Sequence, residues 1–177
     1  MSKSSIVAAL SVCLGLAGVG WGFAQQRPSA PTLSPQDYFE IQQLYARYAL
    51  YLDTGNSAGF LSLWTSDGEF VAGRPAGQAQ AVRTPLKGTE ALTRMGSVGG
   101  WRHFNSNLII TPTADGAEGM VYLARFNMRV GAVPAPIDET GIYKDTLVRT
   151  PAGWRFKKRV SWRDDDDITP FKAPARQ

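Results

Sequence analysis

From Trp101 to the end of the chain's ordered texture, the sequence is almost entirely strand-forming, and this limits the fold more than any other feature. Four stretches qualify: Trp101 to Thr111, Glu118 to Val130, Glu139 to Thr150 and Gly153 to Arg163. The first two are linked by Thr113 to Ala117, which holds Asp115-Gly116, and the last two by Pro151-Ala152-Gly153. Both are hairpin turns. Strands joined in this way lie antiparallel, and the apolar face of their sheet needs cover.

The preceding residues supply that cover. Ser34-Pro35-Gln36-Asp37 reads as a helix start, with Ser34 as N-cap, Pro35 in the first helical position and Asp37 near the exposed amides. Tyr38, Ile41, Leu44, Tyr45, Tyr48 and Leu52 then recur at steps of three and four, and Gly55 can end the helix. A second helix is expected over Ser57 to Trp64, a strand over Glu69 to Ala72 after an Asp67-Gly68 turn, and a third helix over Gly88 to Met95. Arg74 to Pro85 has no period and reads as a loop long enough to act as a lid, and Gly96 to Gly100 reads as a flexible break. Helices followed by strands give an α+β roll, in which helices pack on the concave face of a curved antiparallel or mixed sheet and enclose a pocket.

Both ends differ from this domain, which is expected over residues 34–163. Residues 1–24 resemble a secretory signal: Lys3, an apolar run from Ile6 to Val19, and Gly22-Phe23-Ala24 before Gln25. The apolar run is short for a membrane span of about 20 residues. The expectation is a periplasmic or secreted protein with no stable span after cleavage, a polar linker over 25–33 and a solvated tail over 164–177. Cleavage would leave 153 residues, enough for one core. It would also remove Cys13, the only cysteine, and with it disulfide and thiol chemistry. The remaining net charge of +3 is too mild to argue for nucleic acid.

His103 is the only histidine, and it opens the strand RHFNSNLII. Strand alternation gives His103, Asn105 and Asn107 one parity, opposite to Phe104, Ser106 and Leu108. If the first set faces inward, a base and two amides enter a cavity walled by Tyr45, Tyr48, Trp64 and Tyr143. Simpler roles stand beside these: His103 as a hydrogen-bonding sheet residue, Asp53 as a helix-end residue before Thr54-Gly55, the tyrosines as core, and the asparagines bonded to backbone. The run from Asp164 to Asp167 is a solvated acidic stretch, because consecutive carboxylates do not converge on one ion without a special turn. Lys157-Lys158-Arg159 alternates across a strand and reads as surface. No phosphate loop, nucleophile elbow or paired-histidine spacing is present, so no cofactor and no metal are expected.

Three segments, IQQLYARYALYLDTGN, RHFNSNLII and TGIYKDTLVRTPAGWRFKKR, together resemble the SnoaL-like group of the nuclear transport factor two-like superfamily. The pattern is similar to the one shared by hexachlorocyclohexane dehydrochlorinase, scytalone dehydratase and bile acid 7α-dehydratase. That resemblance implies an Asp53–His103 dyad, in which the carboxylate orients the imidazole and stabilises its protonated form while neutral histidine takes a proton from carbon. By the same resemblance Tyr48 and Arg149 would polarise a leaving group or carbonyl. The implied function is a cofactor-independent lyase or isomerase acting on a small hydrophobic ring compound, assembled as a homo-oligomer, either trimer or dimer. A non-catalytic binding protein for a small hydrophobic ligand is the competing expectation, and a hydrolase or cyclase on the same fold is a third.

Overall fold

The computed structural model describes residues 31–72, 84–131 and 133–164. The expected signal, most of the linker, the lid-like loop as far as residue 83, and the tail beyond Asp164 lie outside these residues.

Helix α1 (Pro35–Thr54) starts and stops where its sequence dictates. Ser34 is extended, and its hydroxyl accepts the Asp37 N–H at 3.2 Å while the Asp37 carboxylate accepts the Ser34 N–H at 2.9 Å, a reciprocal capping box. The Trp154 indole also donates to Asp37 at 2.9 Å. Hydrogen bonds from Ser34 and then Trp154 hold the Asp37 carboxyl down at about 2. At the other end Gly55 adopts φ 70°, and the Asn56 N–H closes the last turn on Tyr51 O at 2.9 Å. The stripe Ile41, Leu44, Tyr45, Tyr48 and Leu52 is buried against the sheet, whereas Tyr38 lies at the solvent edge. Full burial stabilises each large apolar side chain by roughly 1.5–3 kcal/mol, so this face holds the helix in place.

Helix α2 (Ser57–Leu61) is shorter than its sequence suggests, and Trp64 belongs to strand β1 (Trp64–Val71). Pairing with the last strand wins over helix continuation: the Phe156 N–H already donates to Leu63 O at 2.9 Å, and Trp64 pairs with Phe156. Asp67-Gly68 consequently falls in an irregularity within β1, not in a turn before it. A two-residue strand β2 (Leu86–Lys87) leads into α3 (Gly88–Gly96). Strands β3 (Trp101–Thr113), β4 (Gly116–Asn127), β5 (Ile137–Thr150) and β6 (Gly153–Arg163) follow. Strand β4 stops before Val130 because Asn127 accepts the Arg129 N–H at 3.0 Å and Met128 donates to Gly100 O at 3.1 Å, turning Met128–Val130 into a 3-10 helix.

The six strands lie in the order β2-β1-β6-β5-β4-β3. All neighbours are antiparallel except β1 and β6, which run parallel, so the sheet is mixed and open. The three helices pack on it, the α+β arrangement expected. Two bulges redirect side chains. Between Ser106 and Ile109 the β3–β4 register shifts, with Asn107 at φ 59°, a conformation asparagine tolerates better than most residues. Between Phe156 and Lys158 the β5–β6 register also shifts, which turns Arg159 and Ser161 inward. None of the described helices is long and apolar enough to cross a membrane.

Candidate functional site

The end of α1 is tied directly to the start of β3. Gly100 N–H donates to Asp53 O at 2.9 Å, and a Cβ on Gly99 would sit 2.9 Å from Gly55 N. Gly99 has φ 56°, so glycine is required there both by backbone conformation and by the close approach of two backbones. Four residues later comes His103, which this junction sets beside the Asp53 side chain.

The Asp53 carboxylate grips His103 twice. One oxygen, Oδ2, accepts the His103 backbone N–H at 2.8 Å, and Oδ1 takes Nδ1 of the ring in a short contact. Both side chains are buried. An ionised carboxylate only accepts, so Nδ1 carries the hydrogen and Nε2 of a neutral ring keeps its lone pair. The Tyr48 ring stands edge-on to the imidazole, with centroids 6.5 Å apart.

His103 lines a cavity of about 290 Å³ between the helices and the concave sheet face. Its apolar wall includes Leu52, Phe70, Met95 and Trp101. Besides His103, the polar lining comes from Tyr143, Arg125, Glu139, Ser161 and Arg163. Arg125 is the cross-strand partner of His103 on β4. Its guanidinium donates to Asp138 at 2.9 Å, lies 2.8 Å from Glu139, and stacks 5.1 Å from the Trp101 ring centre. Tyr143 faces the cavity while almost fully buried, and burial, followed by the nearby Tyr48, pushes its hydroxyl well above the ordinary tyrosine range. The hydroxyl therefore stays protonated and keeps a hydrogen to donate.

Beneath the site lies a buried charge cluster. Arg159 is wholly buried, and its Nε and Nη2 donate to the two Asp145 oxygens at 2.7 Å each. The Tyr45 hydroxyl donates to the same carboxylate, passing over Gly119, where any Cβ would collide with it. The guanidinium carbon is 4.0 Å from the Tyr48 ring centre and 4.2 Å from that of Tyr143. Burial alone would lower the Arg159 pKa, but the Asp145 charge and hydrogen bonds outweigh it and hold the group well above its ordinary range.

The expected site residues separate into groups. His103 and Tyr143 both line the cavity, and Asp53 is hydrogen-bonded to His103. Tyr48 is fully buried behind the imidazole, its hydroxyl close to Arg159 and Tyr143, and does not line the cavity. Trp64 is also core and not cavity wall, since it packs on Phe156 at 5.3 Å and Phe60 at 5.8 Å. Tyr45 and Asn105 line a different groove, between α1 and β3. Asn107 does not share the His103 face, because the bulge breaks the alternation and leaves it exposed while Leu108 turns inward. Arg149 is at the wrong end of the molecule. It pairs with Asp37 at the start of α1, and Asp37 and Asp53 are 16 residues apart on that helix, about 24 Å at 1.5 Å per residue. Arg159, read as surface from the sequence, is the most buried cation among the described residues. Arg125, Glu139 and Trp101 were not singled out by sequence at all.

The residues that build this fold and junction define a SnoaL-like protein, and the chain belongs to that family: the SnoaL-like domain model matches residues 35–160. Among solved structures, an NTF2-like protein with a cystatin-like fold from Novosphingobium aromaticivorans is 26% identical with a TM-score of 0.63, covering 75% of this chain and 85% of that one. Aln2 from a Streptomyces species is 27% identical with a TM-score of 0.60, covering 75% and 94%. A protein from N. aromaticivorans provisionally named a scytalone dehydratase is 21% identical with a TM-score of 0.58, covering 72% and 84%, a likeness of fold. A comparison with curated proteins found no match.

Proposed function

We propose that the chain is a cofactor-independent lyase or isomerase acting on a small, largely apolar ring compound, with His103 as general base. The observation that carries this reading is the double grip of Asp53 on His103, through ring Nδ1 and backbone N–H, in a residue that borders a mainly apolar cavity. In the reaction, neutral His103 removes a proton from a ring carbon through Nε2, and Asp53 stabilises the imidazolium that forms. The Tyr143 hydroxyl donates a hydrogen bond to the departing or carbonyl oxygen. Elimination sends the proton from His103 to the leaving group, and isomerisation returns it to another carbon. The signal-like N-terminus motivates placing this reaction in the periplasm or outside the cell, and the family resemblance motivates a homo-oligomer.

The test needs no knowledge of the leaving group. The protein is incubated in D2O with a panel of cyclic ketones, and deuterium uptake at carbon is followed by NMR. Uptake that falls by about 10²–10⁴-fold in His103→Ala is the expected result for a general base. No uptake above buffer across the panel, with the ketones nevertheless binding, would support a ligand carrier instead.

A further inference from the structure

We propose that Arg125 anchors the substrate's oxygen: its Nη2 amino group holds the carbonyl of a cyclic ketone, and then the enolate that forms when His103 takes the neighbouring proton. The assignment rests on His103 being the base. It narrows the substrate to rings whose acidic C–H stands next to a carbonyl, as opposed to rings that carry a leaving group alone.

The sheet puts this arginine beside the base. Arg125 on β4 and His103 on β3 are Cα partners, so their side chains rise on the same face from backbones about 4.5–5.5 Å apart. Both line the front cavity. Three contacts pin the guanidinium there. Nε donates to Asp138 at 2.9 Å, Nη1 lies 2.8 Å from Glu139, and the group sits 5.1 Å from the Trp101 ring centre. Glu139 is held in turn, as the acceptor of the Ser161 hydroxyl at 3.3 Å. Nη2 is left over. It has no partner among the described residues, and unlike the carboxamide of Asn105 it is not sealed from solvent, so a ligand can reach it.

A guanidinium only donates, so the group it holds is an acceptor. Asp138 and Glu139 already stand against Arg125, and a ligand that arrives as a full anion would be repelled by both; a neutral carbonyl is not. The charge then develops in place. His103 Nε2 takes the proton, the C–H pair becomes the new ring C=C bond, and the carbonyl π pair moves onto oxygen. The hydrogen bond from Nη2 strengthens as that oxygen becomes anionic, so it acts mostly on the transition state. Arginine does not give up its proton, and the enolate is therefore held without being quenched. Returning the proton to another carbon completes an isomerisation. In an elimination the pair moves back through the ring and expels the β-hydroxyl, which leaves as water with the proton from His103. Arg125 on the carbonyl leaves the Tyr143 hydroxyl for the departing oxygen.

The experiment uses the full chain and 4-chlorophenol, a ring whose ionised oxygen mimics an enolate, carbon-13 labelled at the C–O carbon so that its shift reports ionisation. Chlorobenzene is the same ring without the oxygen. Wild type should bind 4-chlorophenol at least about tenfold more tightly than chlorobenzene, with a shift of the Trp101 indole that places it in the front cavity. The bound phenol should ionise at least about one pH unit lower in wild type than in Arg125→Gln. Arg125→Lys keeps a cation beside Asp138 and Glu139, and so guards the fold, but it lacks the third nitrogen and should lose the same effect. The proposal is overturned if the phenol ionises alike in wild type and Arg125→Gln, or if Arg125→Lys restores wild-type ionisation, since charge alone would then suffice. It is also overturned if chlorobenzene binds as well as 4-chlorophenol, or if the Trp101 indole does not shift. A phenol needs no base to bind, so a failed anchor shows here and a failed base shows in the deuterium uptake.

Discussion

Replacing Asp145 by alanine should be among the most destabilising single changes in this protein. The carboxylate accepts both Arg159 hydrogen bonds at 2.7 Å and the Tyr45 hydroxyl, and Asp145 is only 1% exposed. Its removal leaves a fully buried guanidinium with no counter-charge and a buried hydroxyl with no acceptor. Breaking a buried pair from one side costs about 3–5 kcal/mol, a large part of a typical total of ~5–15 kcal/mol. With a urea dependence of about 2 kcal/mol per molar, the unfolding midpoint should drop by roughly 2 M. Because the penalty comes from the orphaned charge, Asp145→Leu combined with Arg159→Met should recover most of the loss, ending within about 1–2 kcal/mol of wild type. Urea unfolding of the single and double variants measures both values. A midpoint shift below about 0.5 M for Asp145→Ala, or a double variant as unstable as the single, would refute the reasoning.

Ser34→Ala should destabilise the protein by about 1 kcal/mol through loss of the α1 cap. It should also let the Asp37 carboxyl titrate higher than its present value of about 2, readable by carboxyl NMR. Since the Asp37 pKa is depressed by folding, its contribution is present above the ordinary carboxylate range. It is lost as pH falls toward about 2, so wild type should lose stability over that interval more than Ser34→Ala does. Arg149→Ala should leave any activity unchanged and cost under about 1 kcal/mol, as expected of a half-exposed ion pair. A large loss of turnover would return Arg149 to the site.

Local signals made α1 legible: a cap, a proline, a period of three to four, and a glycine stop. The β3–β6 ladder was legible from its alternating stretches and turns, and β6 was placed to the residue. Missed features all depend on contacts distant in sequence. The parallel pairing of β1 with β6 shortens α2 and claims Trp64, and nothing near Trp64 announces it. Bulges were the larger loss, because one extra residue reverses the facing of everything after it. Strict alternation places Arg159 outside and Asn107 inside, and the two bulges invert both. The Asp53–His103 pairing was expected from the family pattern alone; its physical basis, the Gly99-Gly100 backbone contact with the end of α1, became visible only in three dimensions. Arg149 shares the inward parity of Tyr143 and Asp145, but parity does not say how far along the strand a residue lies from the site.

The central claim is that Asp53 fixes His103 with its proton on Nδ1 and its basic lone pair on Nε2. Nitrogen-15 correlation of the imidazole in the neutral form measures this directly, and the single histidine makes the assignment unambiguous. Wild type should show the Nδ1–H tautomer, and Asp53→Leu should relax it toward the mixture of tautomers seen in a free imidazole. A wild-type ring protonated on Nε2 would contradict the account, because the nitrogen assigned as base would then have no lone pair to use.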